Sequence, residues 1–216
     1  MIVVVGTPAW NPGPPPGPGG RAASIALAAA EAGSRVELLG RIGDDPAGDA
    51  LVMALSRSAV GHAALLRDPV HPTVLFVPAD ADEDDVVGPG APDGPRPAVA
   101  GPPDGPSLGA EDVSLGLRYL TDFDVLVVGD DAPAPVIPAC VEAAAFAGAQ
   151  LVVVIASSDP APGGLPVGAT VLLAPEGAGE AFGRLLGRYA AALDAGADPA
   201  AAFTDATADG WEHPGT

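Results

Sequence analysis

Five short stretches of the chain are apolar on every side, and Ala-rich stretches lie between them. The apolar stretches cover residues 2–6, 36–40, 125–129, 151–156 and 170–175, and the Ala-rich stretches cover 22–32, 46–58, 135–147 and 180–195. Continuous runs of β-branched and aliphatic residues are typical of parallel strands that are covered on both faces. The alternation of strands and helices therefore predicts an α/β fold, a doubly wound and mainly parallel sheet with right-handed crossovers.

One long segment interrupts this alternation. Residues 70–106 run from TVLFVPA through the acidic ADADEDD into a stretch rich in Pro and Gly that cannot hold a helix. Two short edge strands joined by long turns are predicted here. We therefore expect a single domain over residues 1–216, with 70–106 as a lid or insertion.

The acidic run within this insertion has part of the pattern of a calcium loop. Asp80, Asp82 and Asp84 have the required alternating spacing, but Asp85 stands where the loop needs a Gly and Ala91 where it needs a bidentate Glu. The run is interpreted as a solvated loop, and no metal site is predicted.

The charge balance excludes several classes of partner. The formal net charge is −19 and the pI is about 4.1, which leaves no basic surface for nucleic acid or for an anionic membrane. All nine basic residues are Arg. Without Lys, neither a Walker-type phosphate loop nor Schiff-base catalysis is available. A small-molecule ligand remains as the expected partner.

The single cysteine and the start of the chain bear on location. Cys140 has no second cysteine to pair with and lies in an apolar run, so it is predicted to be a small buried residue rather than a nucleophile. The opening MIVVVG is short and uncharged, unlike a signal peptide, and no apolar run reaches the length of a membrane span. A cytoplasmic protein is expected.

The order of these pieces resembles the ribokinase-like carbohydrate kinases, the PfkB family. The resemblance is carried by MIVVVGTPAWN, by PGGRAASIALAAAEAGSRVELLGRIGDDPAGDAL and by GATVLLAPEGAGEAFGRLLG. Its most specific piece is GRIGDDPAG, a strand followed by GxDxxG at a helix start. The resemblance implies a ribokinase-like fold with a small β lid and ATP-dependent phosphoryl transfer to a sugar or nucleoside hydroxyl. It also implies ATP and Mg²⁺ as cofactors and a homodimer formed through the lid.

The sugar-binding positions implied by the resemblance differ from the family pattern. The acidic residue after the first strand falls on Asn11, and the GGxxxN turn falls on Gly19, Gly20 and Ser24. Asn11 carries no charge, and Ser24 reaches less far than Asn. A site built to hydrogen-bond hydroxyls loses affinity strongly when one partner is missing. Weakened sugar binding is therefore expected; the alternative is that the two glycines only make a tight turn before a helix.

Two registers fit the stretch APEGAGEAFGRLLG. In the first, it is the family's catalytic GAGD turn, with backbone N–H groups at a helix start around Gly177 and Gly179 and with Glu180 as the catalytic base. In the second, Glu180 is the Glu of the NxxE motif, which organises magnesium, and Gly177 replaces the Asn of that motif. Chain order favours the second register, because the first requires a large internal loss before Thr170.

The end of the chain depends on that choice of register. In the second register, Thr204 to Gly210 is a worn form of the family's nucleotide-binding TxGxxG segment. Read locally, Asp198 as a helix cap and Pro199 at the first helical position favour a helix there instead, as the first register expects.

The sequence thus predicts a PfkB-like kinase homologue, a transferase with a degenerate active site and weak or no activity. Phosphoryl transfer depends on positioning and charge stabilisation, so an incomplete turn would remove the largest catalytic contribution. The alternatives are a non-catalytic ligand-binding or regulatory protein on the same scaffold, and a structural partner.

Overall fold

The structure is a computed structural model of the chain and describes residues 1–76, 105–129, 132–156, 162–175 and 179–208. In chain order the strands are β1 (Ile2–Val5), β2 (Ala9–Asn11), β3 (Gly17–Gly19), β4 (Val36–Gly43), β5 (Val60–Gly61), β6 (Leu65–Asp68), β7 (Val125–Val128), β8 (Gln150–Ala156) and β9 (Thr170–Ala174). The helices are α1 (Arg21–Glu31), α2 (Pro46–Arg57), α3 (Ala110–Tyr119), α4 (Ile137–Ala147), α5 (Gly179–Asp194) and α6 (Pro199–Ala208).

A parallel sheet forms the centre of the described structure. Its strand order is β5-β4-β1-β7-β8-β9, with β6 also pairing with β4, and every pairing in it is parallel. The four residues of β1 are fully buried, as their apolar sequence predicts for a central strand. The predicted doubly wound α/β fold is confirmed.

Helices cover both faces of this sheet and form two cores. On one face α1, α2, α5 and α6 pack over residues such as Val4, Leu38 and Val127. On the other face α3 and α4 pack over Val5, Leu126 and Val153. The alternating sides of β1, β4, β7 and β8 therefore belong to different cores, which explains why these strand sequences are largely apolar on both sides. None of the helices in the described part of the chain is long and apolar enough to cross a membrane.

Local capping determines where several helices begin and end. Asp45 caps α2 and accepts a hydrogen bond from the Gly48 N–H, with Pro46 at the first turn. Gly148 ends α4 in the left-handed conformation, with φ of 69°. Asp198 accepts hydrogen bonds from the N–H groups of Ala200 and Ala201 at the start of α6, so the locally predicted helix there is confirmed.

Candidate active site

The carboxyl ends of the parallel strands define the candidate site. β1 lies between β4 and β7, and the chain moves from β1 to β4 on one side before it reaches β7 on the other. This is the switch point of a doubly wound sheet, where ligands bind outside the carboxyl ends of the strands. The segments that follow β1, β4 and β9 all start at this edge, and they carry the candidate residues of the sequence.

The segment after β1 folds into a small antiparallel hairpin of β2 and β3. The chain before residue 77 runs beside it: the Trp10 N–H donates to Val74 O at 2.8 Å, and the Phe76 N–H donates to Trp10 O at 2.9 Å. Asn11 ends β2, and its Oδ1 accepts a hydrogen bond from the Gly13 N–H at 2.9 Å. The carbonyl oxygen of the predicted sugar-contacting side chain is therefore engaged in its own turn.

The predicted lid falls mainly on residues 77–104, which lie outside the described residues, as do Asp80, Asp82 and Asp84. At its root, Leu75 forms a parallel bridge with Trp10 and so extends the small sheet. Among the described residues no group of three or more His, Cys, Asp or Glu side chains is placed to hold a metal ion.

Each of the two glycines of the GG turn is required by the local structure for a different reason. Gly20 caps α1 with φ of 81°, a backbone conformation that residues other than Gly rarely adopt. Gly19 packs beneath Phe76, because a Cβ there would lie 2.8 Å from the Phe76 ring. Ser24 is 7% exposed, and its hydroxyl donates to Gly20 O at 3.0 Å. The hydroxyl of Ser24 is therefore hydrogen-bonded to its own helix.

The motif GRIGDDPAG forms a junction between β4, α2 and the root of the predicted lid. Asp45 Oδ1 accepts from the Thr73 hydroxyl at 2.8 Å, and Asp45 Oδ2 accepts from the Thr73 N–H at 2.7 Å. Partial burial opposes ionisation of Asp45, but hydrogen bonds from Gly48 and Thr73 outweigh it and lower its pKa. A Cβ at Gly43 would collide with the Thr73 backbone, and one at Gly48 with the Gly43 carbonyl. Asp45, Gly43 and Gly48 are therefore explained by the packing and hydrogen bonds of this junction.

A second polar junction joins both sides of the insertion. Arg41 on β4 lies 3.6 Å from the Asp68 carboxylate and 3.1 Å from that of Asp112, one of two acids in the first turn of α3. The N–H groups of Val70 and His71 donate to Asp68, and the His71 ring lies 3.1 Å away. These hydrogen bonds hold the pKa of Asp68 well below its usual range.

Two parallel helices bring the GG turn next to the start of α5. A Cβ at Gly183 of α5 would lie 2.7 Å from Ser24 Cβ, and one at Gly187 would lie 2.5 Å from Ile25 O. Because both helices advance in the same direction, the start of α5 lies level with the start of α1. The Arg21 guanidinium also lies over the Phe182 ring, 5.7 Å from its centroid.

Glu180 lies in the first turn of α5, at the carboxyl edge of the sheet. Its side chain is 35% exposed, and its carboxylate is 3.8 Å from Arg184 one turn further along the helix. A Cβ at Gly179 would meet no described atom within 4 Å. Gly177 lies outside the described residues.

Thr204 lies away from any loop. It belongs to α6, is exposed, and donates its hydroxyl to Ala200 O at 2.9 Å. Residues 199–208 are helical because Asp198 caps them, so the part of the 204–210 segment up to Ala208 is a helix; its nucleotide-binding role stays a prediction, and Gly210 lies outside the described residues.

Three residues of this region were missed by the sequence analysis: Thr73, Arg21 and Phe182. Thr73 has no motif of its own, since its role depends on Asp45, which is 28 residues earlier. Arg21 and Phe182 could have been found, because each follows a glycine-rich turn and a pair of turns at one sheet edge predicts contact between them.

The chain has a ribokinase-like α/β fold, as its similarity to solved structures shows. It is similar to the crystal structure of Sa239, with a TM-score of 0.63 and 13% identity over 100% of this chain and 95% of the other. It is also similar to an E. coli protein assigned as ribokinase II in complex with ATP and Mg²⁺, with a TM-score of 0.62, 11% identity, and 95% and 90% of the two chains covered.

A third similar structure is a fructokinase with bound ATP from Xylella fastidiosa, with a TM-score of 0.54 and 21% identity. The match covers 95% of this chain but 64% of the fructokinase, so this chain spans under two thirds of that protein's length. At these identities the three structures establish the fold. No curated protein sequence matches significantly.

The family is indicated by sequence as well. Residues 15–88 match the model of the pfkB family carbohydrate kinases. This range contains both the GG turn and GRIGDDPAG. The resemblance seen in the sequence is thereby confirmed, on a kinase-like scaffold that spans the described residues.

Proposed function

We propose that this protein transfers the γ-phosphoryl group of ATP to a hydroxyl of a sugar or nucleoside, with Glu180 as the catalytic base and with slow turnover. The observation that carries this proposal is the parallel packing of α1 against α5. It places the start of α5, with Glu180, level with the GG turn in which the family holds its hydroxyl substrate.

This arrangement supplies two of the parts that phosphoryl transfer needs. The first N–H groups of α5 have no partner within the helix and carry the positive end of its dipole, so they suit the developing charge on a transferred phosphoryl group. A carboxylate in the same turn can accept the proton of the attacking hydroxyl. Mg²⁺ would enter with ATP, since this ion is bound largely through substrate phosphates and few carboxylates.

The geometry supports the first register of APEGAGEAFGRLLG over the second. The base of a kinase must lie within hydrogen-bond reach of the acceptor hydroxyl. The start of α5, with Glu180, is adjacent to the GG turn through Phe182 and Gly183, which contact Arg21 and Ser24. In addition, residues 199–208 form the helix that the first register expects. We therefore assign Gly177 and Gly179 to phosphate binding and no longer assign that role to Thr204 or Gly210.

Slow turnover is expected from the departures at three positions. The carboxylate of Glu180 is displaced by one methylene relative to Asp, about 1.5 Å, and a misplacement of about 1 Å commonly costs about 100-fold in rate. Asn11 and Ser24 use an oxygen each in local hydrogen bonds. Both positions therefore offer a hydroxyl substrate fewer groups than the family pattern supplies.

The experiment is an ADP-release assay with MgATP against a panel of sugars and nucleosides. Glu180→Gln should abolish turnover, and Glu180→Asp, which restores the family's acid, should raise kcat by about 10-fold or more. Glu111→Gln is the matched control, because Glu111 is also an acid in the first turn of a helix, but on α3 at the opposite face. Turnover that is unchanged in Glu180→Gln would refute the role of Glu180 as the base, and turnover that falls in Glu180→Asp would favour the second register.

A ligand-binding protein without turnover is the second candidate. The engaged side chains of Asn11 and Ser24 favour it, because they weaken the substrate side while leaving the start of α5 in place. Thermal-shift titration separates the two: stabilisation by MgATP without ADP release on any acceptor supports binding alone. The absence of both stabilisation and ADP release would reject both candidates.

A further inference from the structure

β9 is the last strand of the sheet and has one edge that no described residue occupies. Its other edge pairs with β8 along its whole length, from Thr170 opposite Val152 to Ala174 opposite Ala156. An open strand edge presents a row of backbone N–H and C=O groups that can pair with a further strand. Proteins usually protect such an edge with charged residues, with Pro or with a covering segment.

One side of β9 also exposes apolar side chains. Thr170 and Leu172 lie towards α5, where the Thr170 hydroxyl is 3.3 Å from the Tyr189 hydroxyl and Leu172 packs against the core. Alternation places Val171 and Leu173 on the opposite face, and they are 37% and 59% exposed. Val167, in the loop that leads into β9, is fully exposed.

This flank is nearly free of charge. Glu142 is the one charged residue within 132–156 and 162–175, which contain α4, β8, β9 and the loop before β9. The whole chain carries 28 acidic and 9 basic residues, so charge is concentrated elsewhere. An exposed apolar surface without charges is typical of an interaction site rather than of a solvated face.

We propose that this flank is a homodimer interface in which β9 of two copies pairs antiparallel about a two-fold axis and joins the two sheets into one. An antiparallel pair of identical strands is self-complementary, as a two-fold interface requires. Val171 and Leu173 of both copies would then pack together on one face of the joined sheet.

The charge distribution favours a second copy as the occupant. Two molecules of net charge −19 repel each other, and the repulsion is weakest where the approaching surfaces carry no charge. A cationic partner would instead be attracted to the acidic surfaces. This interface is separate from the lid that the family resemblance implies, and it does not depend on the proposed kinase activity.

The test is the molar mass of the full chain by light scattering, between about 1 and 100 µM, where interfaces of ordinary size associate. The wild type should reach twice the 21.0 kDa mass of one chain. Leu173→Arg should remain monomeric through this range, because it places two cations at the joined edge. Leu115→Arg is the matched control: Leu115 is a Leu of similar exposure, 52%, on α3, and its substitution should leave the dimer intact.

The dependence of dimer formation on salt concentration is a second test. Raising ionic strength from about 0.01 to 1 M shortens the Debye length from about 30 to 3 Å and should strengthen the dimer, because it screens like charges. If Leu173→Arg is poorly folded by circular dichroism, Leu173→Thr removes the apolar contact but keeps β propensity and should also weaken association. A monomeric wild type, a dimer that Leu173→Arg and Leu173→Thr leave intact, or a dimer that salt dissociates would overturn the proposal.

Discussion

Substitution of Gly187 by Ala tests the packing that brings the two candidate turns together. Gly187 lies in α5 where this helix crosses α1 at its closest. A Cβ at this position would lie 2.5 Å from Ile25 O, 2.6 Å from Ala28 Cβ and 2.9 Å from Ala29 N. Two of these atoms belong to the backbone of α1, so they cannot rotate away, and the helices must separate.

Two opposing contributions determine the size of the effect. Replacing Gly by Ala in a helix interior favours the helix by about 1 kcal/mol. Overpacking of a well-packed interior costs about 1–3 kcal/mol, and the upper part of that range applies here because the neighbours are backbone atoms. The free energy of unfolding should therefore fall by about 1–2 kcal/mol. For a chain of this size each kcal/mol lowers Tm by about 2–4 °C.

The assay is thermal unfolding followed by circular dichroism, with Gly179→Ala as the control in the same helix. A Cβ at Gly179 meets no described atom within 4 Å, so this variant should stay within about 0.5 kcal/mol of the wild type. A Tm of Gly187→Ala that equals or exceeds that of the wild type would mean that α1 and α5 are not packed this closely. Glu180 would then not lie beside the GG turn.

Two further predictions concern ionisable groups. The pKa of Asp45 is lowered from 3.8, so the stability that Asp45 contributes is present above that pH and is lost as pH falls through the folded-state pKa. Asp45→Asn should therefore have a lower Tm than the wild type at neutral pH, and its Tm should fall less on acidification. Equal losses of Tm in the two proteins would contradict this. Burial raises the pKa of the Cys140 thiol to about 12. At mildly alkaline pH a thiol reagent should therefore leave the native protein unlabelled, and in denaturant it should label one thiol per chain. Fast labelling of the native protein would contradict the burial.

The elements of the main core could be predicted because their signal is local. The five apolar runs all became strands of the parallel sheet, and the four Ala-rich runs all became helices, with ends that moved by a few residues. β4 extends to Gly43, three residues beyond its predicted end, because β6 pairs with residues 40–43. A pairing of that kind depends on a strand more than twenty residues away.

Some of the elements that were missed lack such a local signal, although α3 has one in its acidic first turn and in Val113 and Leu117. The hairpin of β2 and β3 lies in a stretch of Pro and Gly that reads as a loop, and it forms through pairing of Ala9 with Gly19 and through contact with residues 74–76. Asp45 was part of a recognised motif, but its hydrogen bonds to Thr73 join residues that no spacing rule connects.

The choice between the two registers of residues 174–187 also shows that a local pattern does not identify contacts between distant elements. Chain order favoured the second register, since the first required a loss before Thr170. The structure places β9 directly beside β8, and it packs α5 on α1 through Gly183 and Gly187. A sheet without the strands that the first register requires before Thr170 can thus still bring α5 to the GG turn, because the contact depends on small residues on two helices rather than on the number of strands between them.

The motif positions of this chain divide into two groups by the space around them. Gly43, Gly48 and Gly187 lie so close to backbone atoms that a side chain would displace a whole element, and each still has the residue that the packing requires. Asn11 and Glu180 lie at the carboxyl edge of the sheet, where no such contact with a described residue fixes the side chain, and they differ from the residues that the resemblance implies. Gly43 and Gly48 lie within the matched residues 15–88, whereas Asn11 and Glu180 lie outside them, so the family match does not cover these two candidate site residues. Because Glu180 is 35% exposed, Glu180→Asp and Glu180→Gln change the proton acceptor while leaving the contact between α1 and α5 intact. Turnover in those variants thus measures the chemistry on an unaltered fold.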